Sequence, residues 1–342
     1  MKICLYYEFY HLLGEKFLKS IGGGIFTSYL NQKKMLQKED IQFTEKWMED
    51  CDILQINFHG LNSLRLIKKA RKENKKIIIW GHTIAENFEN SFIFSNSLSP
   101  TIKKILIYFY NLSDIIFCPS EYVKKVLLFY GLPEKKLIVR TNGVDTKKFL
   151  KNPKLREKGR KKFKIKGTAI GNVGIVIPRK GIDVFLKLAR QFPNEEFLWF
   201  GKIYNALLTD PLPEALPSNV KFTDNIDHDK EMPMGFNSLD IFLFPSYEET
   251  QGIAILEAAA TGLPILVRDI PAYDGWLTHN VNCLRAKNNQ EFKKYLSLLI
   301  KDKKLRTRLG KNALKLAESE DISLQAKKLK KIYQNLLKKI QA

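Results

Sequence analysis

The chain has 342 residues, with 57 Lys and Arg against 36 Asp and Glu, a formal net charge of +21 and 44% hydrophobic residues. That length exceeds what a single core usually fills, so two domains are expected, and the composition excludes disordered, collagen-like and disulfide-scaffold classes. The surplus of positive charge suits an acidic partner, whether nucleic acid, an anionic membrane or a phosphorylated substrate; a lysine-rich bias with solvated side chains is the plain alternative. Four widely spaced cysteines (Cys4, Cys51, Cys118, Cys283) form no CxxC and read as reduced thiols of a cytoplasmic protein. The start MKICLYYEFYH makes a poor signal peptide, and no run of 18 apolar residues predicts a membrane span.

Taken in chain order, KICLYY, DILQINF, KKIIIWGH, DIIFCPS and LIVRTNG read as strands. The intervening GIFTSYLNQKKML, SLRLIKKARKE, SPTIKKILIYFYNL and SEYVKKVLLFYG read as helices. Strand and helix in alternation predict a parallel sheet covered on both faces, which also explains strands with no polar alternation. Residues 151–166, KNPKLREKGRKKFKIK, carry almost no large apolar residue and read as a linker or exposed connection. A second alternating series follows through AIGNVGIV, GIDVFLKLARQF, EEFLWFG, VKFTD, DIFLFPS, GIAILEAAATG and PILVRD. From about residue 290 onward the chain reads as a long basic helical tail. The expected class is α/β, with two doubly wound domains and a ligand cleft at the carboxyl ends of their strands.

The stretch FLFPSYEETQGIAILEAAATG reads as strand, loop, helix and stop, with Gly252 at the helix start and Gly262 at its end. Amides of Gln251, Gly252 and Ile253 at such a start attract phosphate. Glu249 in the loop and Glu257 about a turn and a half into the helix can face one ligand, whose hydroxyls a carboxylate accepts. A nucleotide sugar offers both the diphosphate and the hydroxyls. The alternative is that Glu257 faces water and Glu249 merely caps the helix dipole.

Glu249, seven residues and Glu257 resemble the E-x7-E signature of the family 4 retaining glycosyltransferases, which implies the GT-B fold. The wider PSYEETQGIAILEAAATGLPILVRDIPAYDGW resembles the glycosyl-diacylglycerol synthases of that group. Most relatives carry Gly-Phe-Gly after the first Glu, whereas this chain has Thr250-Gln251-Gly252. SEYVKKVLLFYGLPEKKLIVRTNGVDTKKF resembles the family segment ending in Asn142-Gly143-Val144-Asp145, a turn expected to act as a hinge. IVIPRKGIDVF resembles the stretch whose basic residue holds the donor diphosphate, which implies Lys180. The family often has Arg after the preceding Val-Gly; here Ile175 follows Val173-Gly174, so the implied second cation is Arg179. A cation is the right group to neutralise a departing diphosphate. By the same resemblance Glu249 contacts the donor hexose, Glu257 the ribose, and Gly23-Gly24 ahead of the first-domain helix reach the donor phosphate. The resemblance also implies that His82, at the end of a predicted strand, stands beside the reacting sugar, where a neutral imidazole could donate to a hydroxyl. Neither a bound metal nor a cofactor is implied, and no acid, His or Cys cluster has metal-ligand spacing. His11, His59 and His279 have no comparable context, and His228, in the polar loop IDHDKEM, is left unassigned.

Basic and aromatic residues mix in SPTIKKILIYFYNL, where Lys103 and Lys104 precede Ile105, Leu106, Ile107, Tyr108, Phe109 and Tyr110. With Phe88, Phe92 and Phe94 just ahead, this region suits a membrane interface, and core packing of residues 105–110 is the alternative. The expected layout is a Rossmann-like acceptor and membrane domain (1–155), a Rossmann-like donor domain (156–320) and a C-terminal helix (321–342) crossing back. The expected activity is retaining transfer of a hexose from a UDP-sugar, UDP-glucose first, to a lipid hydroxyl such as diacylglycerol on the inner face of the cell membrane. A polyprenyl-linked or soluble glycan is the alternative acceptor. Charge alone would also allow a nucleic-acid binder, but no RNP-like or zinc motif accompanies it, so nucleic acid is not an expected partner.

Overall fold

The computed structural model describes residues 1–21, 23–89, 91, 95–203, 212–213, 215–224 and 226–338. Phe92, Phe94 and Gly22 lie outside the described residues. The first sheet holds β1 (Lys2–Tyr6), β2 (Gln42–Thr44), β3 (Ile53–Ile56), β4 (Lys76–Trp80), β5 (Ile115–Cys118) and β6 (Leu137–Val139). Its spatial order is β2-β1-β3-β4-β5-β6, and the paired strands run parallel. Helices of this half include α1 (Glu8–Ile21), α2 (Gly24–Lys38), α3 (Leu61–Lys72), α4 (Ser95–Asn111) and α5 (Glu121–Phe129). In β4, Ile77, Ile78, Ile79 and Trp80 are fully buried, as expected when helices cover both faces of a parallel sheet.

The second half begins with α6 (Pro153–Lys162), in the stretch that reads from sequence as a linker. Asn152 caps it by accepting from the amides of Lys154 and Leu155, with Pro153 in the first turn. Its attachment is polar, which is why apolar spacing hides it. Arg156 and Arg160 both pair with Asp240, at 2.6 and 3.1 Å. Next come β7 (Ala169–Val173), α7 (Ile182–Gln191), β8 (Glu196–Phe200), β9 (Val220–Phe222), α8 (Met232–Ser238), β10 (Ile241–Phe244), α9 (Ile253–Ala260), β11 (Ile265–Arg268) and β12 (Leu284–Ala286). Their order is β12-β11-β10-β7-β8-β9, again parallel, so the winding reverses between β7 and β10.

The basic tail is three helices, α10 (Asn289–Lys301), α11 (Lys303–Ser319) and α12 (Ile322–Lys338). Asp302 separates the first two and caps α11 by accepting from the Leu305 amide at 2.8 Å. Buried residues of α10 and α11 join the cores of the second sheet. The face of α12 formed by Ile322, Ala326, Leu329, Tyr333 and Leu336 is buried instead with Ile3, Leu5, Tyr29 and Met35 of the first half. The chain thus passes between the halves twice, and the passages touch: the Val144 amide donates to Glu320 O at 3.1 Å and the Ile322 amide to Val144 O at 3.0 Å.

Candidate active site

Open parallel sheets bind ligands where the winding reverses, beyond the strand carboxyl ends. The two strands at that point in the second half are β7 and β10. The segment after β7 carries Arg179 and Lys180 in a short 3-10 turn, Pro178–Lys180. Gly181 closes the turn at φ 76°, and a Cβ there would lie 2.4 Å from Pro245 O, so only glycine lets this turn sit against the other loop. The segment after β10 carries Glu248 and Glu249. Lys180 Nζ donates to Glu249 Oε1 in an ion pair whose carboxylate is buried and whose ammonium is part-buried, 5.3 Å from the centre of the Phe244 ring. Burial lowers the Lys180 pKa, and the Glu249 carboxylate works against that shift.

Arg179 faces both halves. Its Nε donates to Ser91 Oγ and its Nη1 to the Glu248 carbonyl, each at 2.8 Å. Gly252, at φ 88°, turns the chain into α9, whose first amides have no carbonyl within the helix to meet. Ile253 is buried at this start and Glu257 one turn further on. The Glu257 Oε1 lies 2.6 Å from His228 Nε2, so Glu257 faces neither water nor the helix dipole alone. Lys148 Nζ lies 3.0 Å from His228 Nδ1 and 2.7 Å from Asp229 Oδ1. Burial would lower the His228 pKa, but Glu257, with the hydrogen bonds to Asp229 and Glu257, outweighs it and the net shift is upward. The contact of His228 with Glu257 is not legible in the sequence, since nothing local links a polar loop to a helix residue 29 positions away.

Gln251 is committed elsewhere than its backbone position suggests. Its Oε1 accepts from the backbone N–H of Asn142 at 3.0 Å and from Asn142 Nδ2 at 2.8 Å, and its Nε2 donates to Thr141 Oγ1 at 2.8 Å. Ser120 Oγ, capping α5, also donates to Thr250 O at 2.6 Å. The loop that replaces Gly-Phe-Gly is therefore held by the first half of the chain.

His82 follows β4, is buried, stacks on Trp80 with ring centres 5.7 Å apart, and places Nε2 3.1 Å from Asn57 Oδ1. Burial, with a smaller effect of His59, pushes its pKa down to about 3, so the ring is neutral. Gly23 and Gly24 are exposed at the start of α2, and a Cβ on either would meet nothing within 4 Å. Among the described residues, neither His82 nor these glycines make a direct hydrogen bond to Lys180 or Glu249. Glu248 was also missed as an acid of interest. Burial, with Glu249 adding to it, raises its pKa to about 7 despite a hydrogen bond with Tyr122. No group of three or more His, Cys, Asp or Glu that could hold a metal ion exists among the described residues.

A model of the group 1 glycosyl transferases matches residues 153–316, and a model of glycosyltransferase family 4 matches residues 24–148. The chain is a glycosyltransferase. The enzyme is 29% identical to the processive diacylglycerol alpha-glucosyltransferase of Acholeplasma laidlawii, over 99% of both chains. It is 26% identical to the alpha-galactosylglucosyldiacylglycerol synthase of Streptococcus pneumoniae, over 80% of this chain and 76% of the relative. Among solved structures it resembles HepE of Anabaena, crystallised with UDP and glucose, at a TM-score of 0.75 and 15% identity over 98% of this chain and 100% of the other. That likeness establishes the GT-B fold.

Proposed function

We propose that the enzyme moves a hexose, glucose first, from a UDP-sugar to a lipid hydroxyl such as that of diacylglycerol, with retention at the anomeric carbon. The observation that carries this reading is the part-buried Lys180–Glu249 pair at the reversal of the second sheet, beside the start of α9. A buried carboxylate and an ammonium largely shielded from water favour staying paired, since each neutralises the other. A ligand able to part them must offer an anion to the lysine and hydroxyls to the acid, which is what a sugar diphosphate does. The relatives over the full chain bear diacylglycerol glycosyltransferase names, which supports the lipid acceptor.

In this reading Lys180, Arg179 and the amides of Gly252 and Ile253 take up the charge that UDP gains as its bond to the sugar breaks. Glu249 and His82 orient the hexose, Glu257 holds the ribose, and Gly23-Gly24 approach the diphosphate. The acceptor hydroxyl adds to the anomeric carbon on the face that UDP leaves, and its proton passes to the departing phosphate oxygen. The first half then forms the acceptor side, the second half from α6 through α11 the donor side, and α12 ties the two together.

No helix among the described residues is long and apolar enough to cross a membrane. Attachment to the inner face of the cell membrane would use α4 and α5. On α4, Leu106, Phe109 and Tyr110 are buried while Leu98, Ile105 and Tyr108 are exposed, so the helix serves core and surface at once. Phe129 beside it is 81% exposed under Lys103, whose Nζ lies 5.0 Å from the ring centre. Each lysine near an anionic leaflet adds ~1 kcal/mol.

The test is transfer of radiolabelled glucose from UDP-glucose to diacylglycerol in anionic vesicles, with thermal-shift screening of UDP-glucose, UDP-galactose, UDP-GlcNAc and GDP-mannose. A labelled glycolipid and stabilisation by one UDP-sugar are expected. Absence of lipid product and of vesicle binding would shift the acceptor to a polyprenyl-linked or soluble glycan.

A further inference from the structure

Six buried polar side chains run from the donor loop to His82 and form one chain of hydrogen bonds. Asn142 Nδ2 donates to Gln251 Oε1, and Ser28 Oγ donates to Asn142 Oδ1 at 2.6 Å. Gln32 Nε2 donates to Ser28 Oγ at 3.2 Å and to Asn57 Oδ1 at 2.7 Å. Asn57 Oδ1 then meets His82 Nε2 at 3.1 Å. All six residues are at least nine-tenths buried.

The direction of this chain has a fixed origin. The backbone N–H of Asn142 only donates, and it points at Gln251 Oε1. The Gln251 atom there must be oxygen, so Asn142 presents its NH2 to it and its own oxygen to Ser28. Ser28 has a single proton and spends it on that oxygen, so it must accept from Gln32. The Gln32 atom is therefore the NH2, and the Asn57 atom that Gln32 meets must be oxygen. An oxygen carries no proton, so the shared proton of the last link sits on His82 Nε2. Reversing any one amide leaves two donors or two acceptors face to face in a buried place, which is costly.

We propose that this relay is a positioning device: the donor loop, through Gln251 and Asn142, holds neutral His82 in the Nε2–H tautomer. Asn57 is the positioning residue in direct contact with the ring. The remaining nitrogen, Nδ1, has no partner among the described residues and is an acceptor. His82 consequently receives a hydrogen bond from a sugar hydroxyl and does not donate one. A neutral imidazole has one N–H, and Asn57 already holds it. The relay also explains a use for the Gln that stands where relatives carry Phe: an apolar ring at 251 could not set the direction. The functional part of this inference rests on His82 facing the donor sugar; the tautomer itself does not.

The first measurement is therefore spectroscopic. Long-range nitrogen–proton NMR of [15N]histidine-labelled enzyme, with the His82 signal assigned from His82→Gln, is expected to show the Nε2–H form. A dominant Nδ1–H form overturns the proposal. The second is kinetic. Asn57→Leu removes the acceptor and is expected to lower kcat by roughly 10- to 100-fold, the range known for outer-shell partners of histidines in metal sites. KM for UDP-glucose should stay within about threefold, since Asn57 touches none of the groups proposed to hold the nucleotide. Asn57→Asp keeps an acceptor and adds a charge that raises the His82 pKa. It should retain the Nε2–H form and wild-type-like kcat at pH 8 but lose activity at a higher pH than wild type on acidification. Unchanged kcat in Asn57→Leu, or an unshifted acid limb in Asn57→Asp, would count against the relay. A wild-type enzyme that transfers no hexose would instead sink the function proposed above, and the tautomer spectrum would still decide this inference.

Discussion

Replacing Lys180 by Met separates a structural ion pair from a catalytic one. Glu249 is 7% exposed and its carboxylate accepts only from Lys180 among the described residues. Removing the ammonium leaves that carboxylate uncompensated, which costs about 3–5 kcal/mol of folding stability when a buried pair is broken. In the proposed function it also removes a cation from the departing diphosphate; loss of one such stabilising group costs roughly 3–4 kcal/mol, or 10²–10³ in kcat. The double variant Lys180→Met, Glu249→Gln divides the two effects. With neither charge present the burial penalty disappears, so most of the stability should return, measured by thermal unfolding without donor. Activity should not return if the proposed roles hold, because both the cation and the carboxylate assigned to the hexose are gone. Steady-state glucose transfer from UDP-glucose should remain at least ~100-fold below wild type in the single and double variants alike. If activity recovered along with stability, or if Lys180→Met alone transferred within threefold of wild type, the pair would be a strut and the catalytic reading would fail.

Glu248 should tax stability at neutral pH. Its pKa stands at about 7 against an ordinary 4.5, so the unfolded chain loses its proton first and stability falls as pH rises from 4.5 to 7. Allowing for partial exposure, Glu248→Gln should add about 1–2 kcal/mol above pH 7 and flatten that slope in thermal unfolding. His228 has a raised pKa, so the stability from its charged contact with Glu257 is complete below pH 6.5 and is lost as pH climbs through the raised value. His228→Gln should abolish that loss in the same measurement. Tyr108→Ser with Phe129→Ser should weaken co-sedimentation with anionic vesicles several-fold while leaving the thermal shift with UDP-glucose unchanged, because both rings are exposed on the first half.

Much of the frame was legible because parallel strands buried on both faces announce themselves as unbroken apolar runs. β4 and β10 are examples, with IIIW and IFLF fully buried or nearly so. The three-residue strand β2 at a sheet edge carries no such run. Helix α6 was hidden for the opposite reason, since arginines and a cap hold it in place of an apolar stripe. The site was legible where its logic is local. Lys180 and Gly181 share a turn, and Glu249, Gly252 and Glu257 share a loop and the helix it opens.

What the sequence determined by itself is therefore short-range: strand, turn and helix start, and the acids and cations seated on them, since backbone geometry places neighbours a few residues apart. Partners across long stretches were decided only by the tertiary structure. Gln251 bonds Asn142 109 residues away, His228 meets Glu257, and α12 returns to the first sheet. The physical reason is that polar side chains bond whatever the two crossings of the chain bring within reach, and no periodicity records which half a loop will lean on.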